Sequence, residues 1–209
     1  MLSRRQPDLT VLAENLHKPR NFAAVIRTCD SVGINEVHVV PGEDPPRRYW
    51  HTSGGTAKWV EVKTHESTAV ACEWLRGRDF QLVAAHISDE ALHYREMDFT
   101  RPTALVMGTE LFGVSNEALA HVDRQIRIPM MGMSQSLNVS VAGSIVLYEA
   151  QRQRQAAGMY DKCRLDEATR NRLRFEWLHP VLADFCNRHA LDYPALDEDG
   201  ELLEDIPRG

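Results

Sequence analysis

The chain has 209 residues, 43% of them hydrophobic and 26% charged, enough for one soluble globular domain of ordinary size or one domain with an extension. No apolar run nears the roughly 20 residues of a membrane span, and MLSRRQPDL lacks the apolar core of a secretory signal, so a cytoplasmic protein without membrane contact is expected. The net charge of −6 argues against a nucleic-acid partner when taken whole, and four scattered cysteines without a CxxC pair argue against structural zinc.

In chain order, Leu9–Ala13 reads as a short strand. Phe22, Val25, Ile26, Cys29 and Val32 then make a helical stripe that Gly33 ends. Glu36–Val40 is a strand, Pro41–Thr56 a long loop and Val60–Lys63 a strand, with a helix over Ser67–Leu75. Gln81–Ile87 and Thr103–Met107 are continuous apolar runs, the mark of parallel strands covered on both faces. Ser115 caps a helix that runs to Val122. A last apolar run, Ile126–Met130, ends at Gly132. After it Leu137, Val141, Ile145 and Tyr148 form the stripe of a long helix. The alternation predicts an α/β sheet, mostly parallel, with helices on both faces. From Leu165 the strands stop. Helices are expected over Glu167–Phe175 and Trp177–Leu191, the second with a stripe of Leu178, Val181, Leu182 and Phe185, and Tyr193–Gly209 is expected to be loose.

Charge is unevenly placed. His189–Gly209 carries seven acids and one base, which accounts for the whole −6. Gln151–Arg174 holds Arg152, Arg154, Lys162, Arg164, Arg170, Arg172 and Arg174 against three acids. That run reads as a solvated helix face, or more sharply as an RNA footprint.

Three stretches stand out. The first, HKPRNFAAVIRTCDSVG, places Asn21 and Arg27 six residues apart, about 120° around a helix, so they converge only if Asn21 lies at the helix start. Taken alone, Asn21 reads as a first-turn residue and Arg27 as the partner of Asp30. The second, MGTELFGVS, follows a buried strand and spells GxxxxG, but Val114 stands where a phosphate loop needs lysine, which excludes a nucleotide triphosphatase. Glu110 within it reads as a solvated loop carboxylate, or as a group that holds a cation or orients the loop. The third is the stretch from Ile128 to Arg154. A strand ends, a small-residue loop turns over and a helix leaves, with apolar side chains and free backbone groups that suit a flat, neutral ligand. No HExxH, GxSxG or GxGxxG occurs, and the scattered histidines read as structural.

In this order and spacing, the three stretches resemble the motifs of the SpoU branch of the SPOUT RNA ribose methyltransferases, and SLNVSVA with LYEAQRQR resembles the third of them. The likeness runs through almost the whole chain. It is nearest to members that methylate the ribose 2′-hydroxyl of guanosine 18 in the tRNA D-loop. The resemblance implies a SPOUT domain over residues 1–164, with a deep trefoil knot at about 104–158, and a helical extension with an acidic tail over 165–209. It also implies bound S-adenosylmethionine, a tRNA substrate, a homodimer and no metal. Apolar residues of the long helix beyond its stripe, Val139, Val146 and Leu147, favour that dimer.

Residue by residue, the resemblance assigns catalytic roles to Arg27, Asn21, Glu110, Ser136 and Asn138. It assigns cofactor contacts to Ala85, Gly108, Ile128, Met130 and Leu137. Ala85 is a small departure, since threonine also occurs there in relatives. Relatives carry a longer N-terminal helix before RRQPDL, so a shortened RNA-binding extension is expected. That places more of the RNA contact on Arg20, Arg47, Arg48, Lys58, Arg170, Arg172 and Arg174. A related ribose methyltransferase acting on another tRNA position or on rRNA, and a non-catalytic RNA-binding protein, are the alternatives.

Overall fold

Every residue of the first strand, β1 (Leu9–Glu14), is buried, because the strand lies inside a sheet covered on both faces. The computed structural model describes residues 1–16, 18–42, 58–109 and 112–203. The other strands are β2 (Glu36–Val40), β3 (Glu61–Thr64), β4 (Gln81–Ala85), β5 (Leu92–His93), β6 (Thr103–Met107) and β7 (Arg124–Arg127). They form one seven-stranded sheet in the order β3-β2-β1-β6-β4-β7-β5, and every pairing is parallel. The helices are α1 (Pro19–Ser31), α2 (Thr68–Arg76), α3 (Asn116–His121), α4 (Val139–Ala156), α5 (Glu167–Leu178) and α6 (Pro180–His189).

Alternate strand residues point to opposite faces and so build two cores. Leu9, Val11, Val83, Leu105 and Met107 pack with Phe22, Val25 and Ile26 of α1 and Val146, Leu147 and Ala150 of α4. Leu12, Leu82, Ala84 and Val106 pack with Ala71, Cys72 and Leu75 of α2 and Ala118 of α3. The α/β expectation with helices on both faces therefore holds. Two strands are shorter than the apolar runs that announced them. β4 ends at Ala85 and β7 at Arg127, and the apolar residues beyond them line a cavity instead. The two-residue β5 is too short to leave a periodic signal.

Helix α4 faces the sheet differently from the sequence expectation. Val146 and Leu147 are in the core, whereas Val141 and Tyr148 of the expected stripe are 46% and 53% exposed. At Gly143 the helix rests on the Met107 side chain at the end of β6, where a Cβ would stand 2.5 Å from Met107 Cε.

The C-terminal helices also differ. Pro180 starts a new helix, and His179 before it leaves helical geometry (φ −125°, ψ 57°), as the residue preceding a proline tends to. Leu178 and Val181 are 51% and 77% exposed, and Ala183 and Cys186 are buried in place of the expected stripe. The segment after Leu191 is not loose as far as it is described. Tyr193 stacks on Phe175 at 4.5 Å, a His179 ring nitrogen lies 2.7 Å from Gly200 O, and Leu196 bridges Leu202. Aromatic stacking and these polar contacts outweigh the composition that suggested disorder.

Arg154 is the largest fully buried side chain. Its guanidinium donates to Phe99 O, Gln6 Oε1, Asp8 Oδ1, Asp8 O and Arg101 O. Arg164 pairs with the same Asp8. The end of α4 is thus tied to the N-terminal segment and to the β5–β6 connection. Among the described residues no helix is long and apolar enough to cross a membrane.

Candidate active site

Thr109 and Gly113, near the two ends of the GxxxxG stretch, pair as an antiparallel hairpin bridge. Thr109 N donates to Gly113 O at 2.9 Å, Gly113 N returns to Thr109 O at 3.0 Å, and Thr109 Oγ1 accepts from Phe112 N at 2.9 Å. Gly113 sits at φ +70°. Any Cβ on Gly108 would lie 1.9 Å from Gly113 O, so only glycine lets the returning strand pass. Glu110 lies outside the described residues.

Glu14 anchors the exit of this hairpin, and the sequence reading missed it. Its buried carboxylate accepts from Ser115 N and Oγ and from Thr68 Oγ1, at 3.0, 2.6 and 2.7 Å. One strand-end carboxylate therefore fixes the starts of both α2 and α3. The available signal was a lone acid closing a mostly apolar strand.

Beyond the carboxyl ends of β4, β6 and β7 lies a cavity of about 280 Å³. Ala85, Gly108, Ile128, Met130 and Leu137, scattered over the sequence, all line it, and so does Ser136. The lining also includes Ile87, Phe112, Ile126, Val139 and Ala142. The surface is mainly apolar with strand-end and loop backbone between, suited to a flat neutral ring held by main-chain groups. Sequence inspection did not pick out His86, Thr109 and Arg127 of this lining. Their only signal is that each follows or ends a strand.

The first and third stretches meet. Asn138 caps α4: its Oδ1 accepts from Ser140 N at 2.9 Å and from Ser140 Oγ at 2.6 Å. Its Nδ2 donates to Asn21 Oδ1 at 3.2 Å, across 117 residues of sequence. Asn21 is buried in the first turn of α1, the position convergence requires. Arg27 is exposed on the same helix, and its guanidinium makes no hydrogen bond or ion pair among the described residues. The expected alternative, a pair with Asp30, is not formed, because Arg5 takes Asp30 at 2.6 Å.

The basic run is largely engaged within the chain. Arg154 is buried, Arg152 pairs with Glu149, Arg172 with Glu61 and Glu176, and Arg174 donates to Glu198 O. The reading of Arg154 as a surface cation is therefore corrected: the acceptors around Asp8 draw it inward. Arg20, Lys58 and Arg170 are exposed, and Arg47 and Arg48 lie outside the described residues. The histidines expected to be structural include a packed pair. His38 Nδ1 lies 2.8 Å from His65 Nε2, with Glu36 3.2 Å from the other His38 nitrogen. Burial, aided by His38 and Lys63, lowers the pKa of His65. No group of three His, Cys, Asp or Glu that could hold a metal ion occurs among the described residues.

Comparison with known proteins agrees with this geometry. The SpoU rRNA Methylase family matches residues 8–148, and the SpoU rRNA methylase C-terminal family matches 152–205. The chain is 50% identical over 207 residues to the tRNA (guanosine(18)-2′-O)-methyltransferase of Escherichia coli K12, covering 98% of this chain and 90% of that protein. The crystal structure of the A. aeolicus TrmH/SpoU tRNA modifying enzyme superposes with a TM-score of 0.76 at 39% identity, covering 91% of this chain and 93% of that one. The SpoU methyltransferase AviRb from Streptomyces viridochromogenes, in complex with AdoMet, gives 0.64 at 27% identity over 74% of this chain and 62% of that one. With its three motifs gathered at the end of a parallel sheet and a family match over most of its length, the chain belongs to the SpoU RNA methylase family.

Proposed function

We propose that this protein transfers a methyl group from S-adenosylmethionine to the ribose 2′-hydroxyl of guanosine 18 in the D-loop of tRNA. The observation that carries this reading is the Asn21–Asn138 contact, which joins the helix bearing Arg27 to the loop that closes the cavity. The similarity to the Escherichia coli enzyme over nearly the whole chain supports the same substrate.

The cavity fits the cofactor. Its apolar walls suit an adenine, and the backbone around Gly108, Ile128 and Leu137 offers the directional contacts such a ring needs. When bound, S-adenosylmethionine supplies a reactive sulfonium methyl. This chain's residues then have two tasks, to hold the 2′-hydroxyl in line and to deal with its proton. Arginine stays charged at any working pH. Arg27 therefore acts as a fixed cation that stabilises the developing alkoxide, or that holds an RNA phosphate which takes the proton. Asn21, Ser136 and Asn138 orient the ribose and the loop, and Glu110 of the second motif acts with them. Neither role of Arg27 requires a metal.

The same reading includes the finer architecture. Residues 1–164 form the SPOUT domain, with a trefoil knot over about 104–158, and 165–209 form the helical extension. Two copies pair through the apolar side of α4, where Val141 and Tyr148 are exposed and Ile145 half-buried. RNA is held by Arg20, Lys58 and Arg170, with Arg47, Arg48, Arg172 and Arg174, in the cytoplasm.

Single-turnover methyl transfer with saturating tRNA tests the role of Arg27. Arg27→Ala should keep cofactor affinity and lose roughly 100-fold or more in rate. Arg27→Lys near wild type would favour simple charge stabilisation, and its loss a bidentate hold on phosphate. An Ala variant within a few-fold of wild type would remove Arg27 from the chemistry.

A further inference from the structure

We infer that Thr28 and Ser144 are positioning residues for methyl transfer, a hydroxyl pin that sets the rotation of α1, and with it Arg27, against the cofactor loop. This rests on the reading of Arg27 given above.

Thr28 Oγ1 and Ser144 Oγ lie 2.9 Å apart, half-buried between α1 and α4. Each hydroxyl also faces a carbonyl of its own helix: Thr28 reaches Ala24 O at 3.1 Å and Ser144 reaches Ser140 O at 2.7 Å. The pair has two protons for three contacts, so when the bond between the helices forms, one bond back to the helix is given up. The pin is continuous with the cofactor loop. Ser140, whose carbonyl faces Ser144, gives its N–H and Oγ–H to Asn138, and Asn138 donates to Asn21. Polar contacts thus run from Thr28 through the start of α4 back to the first turn of α1.

α1 is also gripped by Arg5, which holds Asp30 at 2.6 Å near the end of the helix, and by the apolar packing of Phe22, Val25, Ile26 and Cys29. Apolar packing supplies no directional bond, and at the turn that carries Arg27 the Thr28–Ser144 bond supplies one. Arg27 makes no side-chain bond among the described residues, so the helix that carries it sets its place. Thr28 is its immediate neighbour, and a bond at Thr28 fixes where the guanidinium starts. A 1 Å misplacement can cost about 100-fold in rate, so a partial loss of register should cost on the order of tenfold.

The test is single-turnover methyl transfer by Thr28→Val, Ser144→Ala and the double variant, with calorimetry for cofactor affinity and thermal unfolding alongside. Each single variant should lose on the order of tenfold in rate, with cofactor affinity and melting close to wild type. The double variant should be no slower than either single one, since each removes the same bond. Thr28→Ser, which keeps the hydroxyl, should recover most of the rate. Wild-type rates in the single variants, multiplicative losses in the double one, losses confined to cofactor affinity or melting, or failure of Thr28→Ser to recover would each overturn the pin. Arg27→Ala runs in parallel. If it keeps its rate, the role of Arg27 and the pin both fall. If it is inactive while Thr28→Val is not impaired, only the pin falls.

Discussion

Replacing Arg154 with leucine separates a structural from an RNA-binding role for the basic run. The side chain is fully buried and donates to five oxygens on Gln6, Asp8, Phe99 and Arg101. Leucine fills part of the space but leaves those acceptors without their donor. Arg164 would still hold the Asp8 carboxylate at 2.8 Å, which limits the damage. Removing one partner of a buried pair costs about 3–5 kcal/mol. At about 2–4 °C per kcal/mol for a chain of this size, the melting temperature should fall by roughly 6–20 °C. The assay is thermal unfolding by circular dichroism, with tRNA affinity measured well below the transition. Affinity of the folded variant should stay near wild type. A melting point within about 2 °C of wild type, combined with a large loss of tRNA affinity, would show Arg154 to be an RNA contact after all.

Three further outcomes are expected. Gly108→Ala must push the hairpin strand at Gly113 aside, a strain of about 1–3 kcal/mol, and calorimetry should show cofactor affinity reduced tenfold or more with the fold retained. Tyr148→Glu places a charge on the exposed apolar side of α4 and should give monomers by light scattering, where the wild-type protein should give dimers. Because burial with His38 and Lys63 depresses the pKa of His65 in the folded chain, the unfolded chain takes up that proton first as pH falls. Stability should therefore be present above the ordinary histidine value of about 6.5 and decline as pH drops through it, and His65→Gln should flatten this part of a melting-temperature profile.

What could be read from the sequence was whatever repeats locally. The apolar runs of β4 and β6 announced a covered parallel sheet, and Ser115 and Gly33 marked helix ends through their own chemistry. The cavity was legible through resemblance, which named five lining residues from four separate segments. No periodicity could have brought Ala85 beside Leu137. Long-range relations were not legible. Which side of α4 faces the core depends on Val146 and Leu147 meeting sheet residues such as Leu105 and Met107, which are distant in sequence. Arg154 looked like its exposed neighbours until Asp8 and Gln6, near the other end of the chain, were seen beside it. Arg27 and Asp30 share a turn and invited pairing, yet Arg5 competes from outside the helix and takes the carboxylate. The C-terminal stripe failed for a local reason that was visible, since Pro180 sat where the helix was expected to continue.

Mapping 2′-O-methylation along unmodified tRNA treated with the purified protein and S-adenosylmethionine tests most directly whether this chain methylates one specific ribose. A single methylated ribose at guanosine 18 is expected, absent when the cofactor is withheld and strongly reduced with Arg27→Ala. A methyl group at another nucleotide, methylation of rRNA in preference to tRNA, or no methyl transfer by a folded protein that still binds tRNA would contradict it.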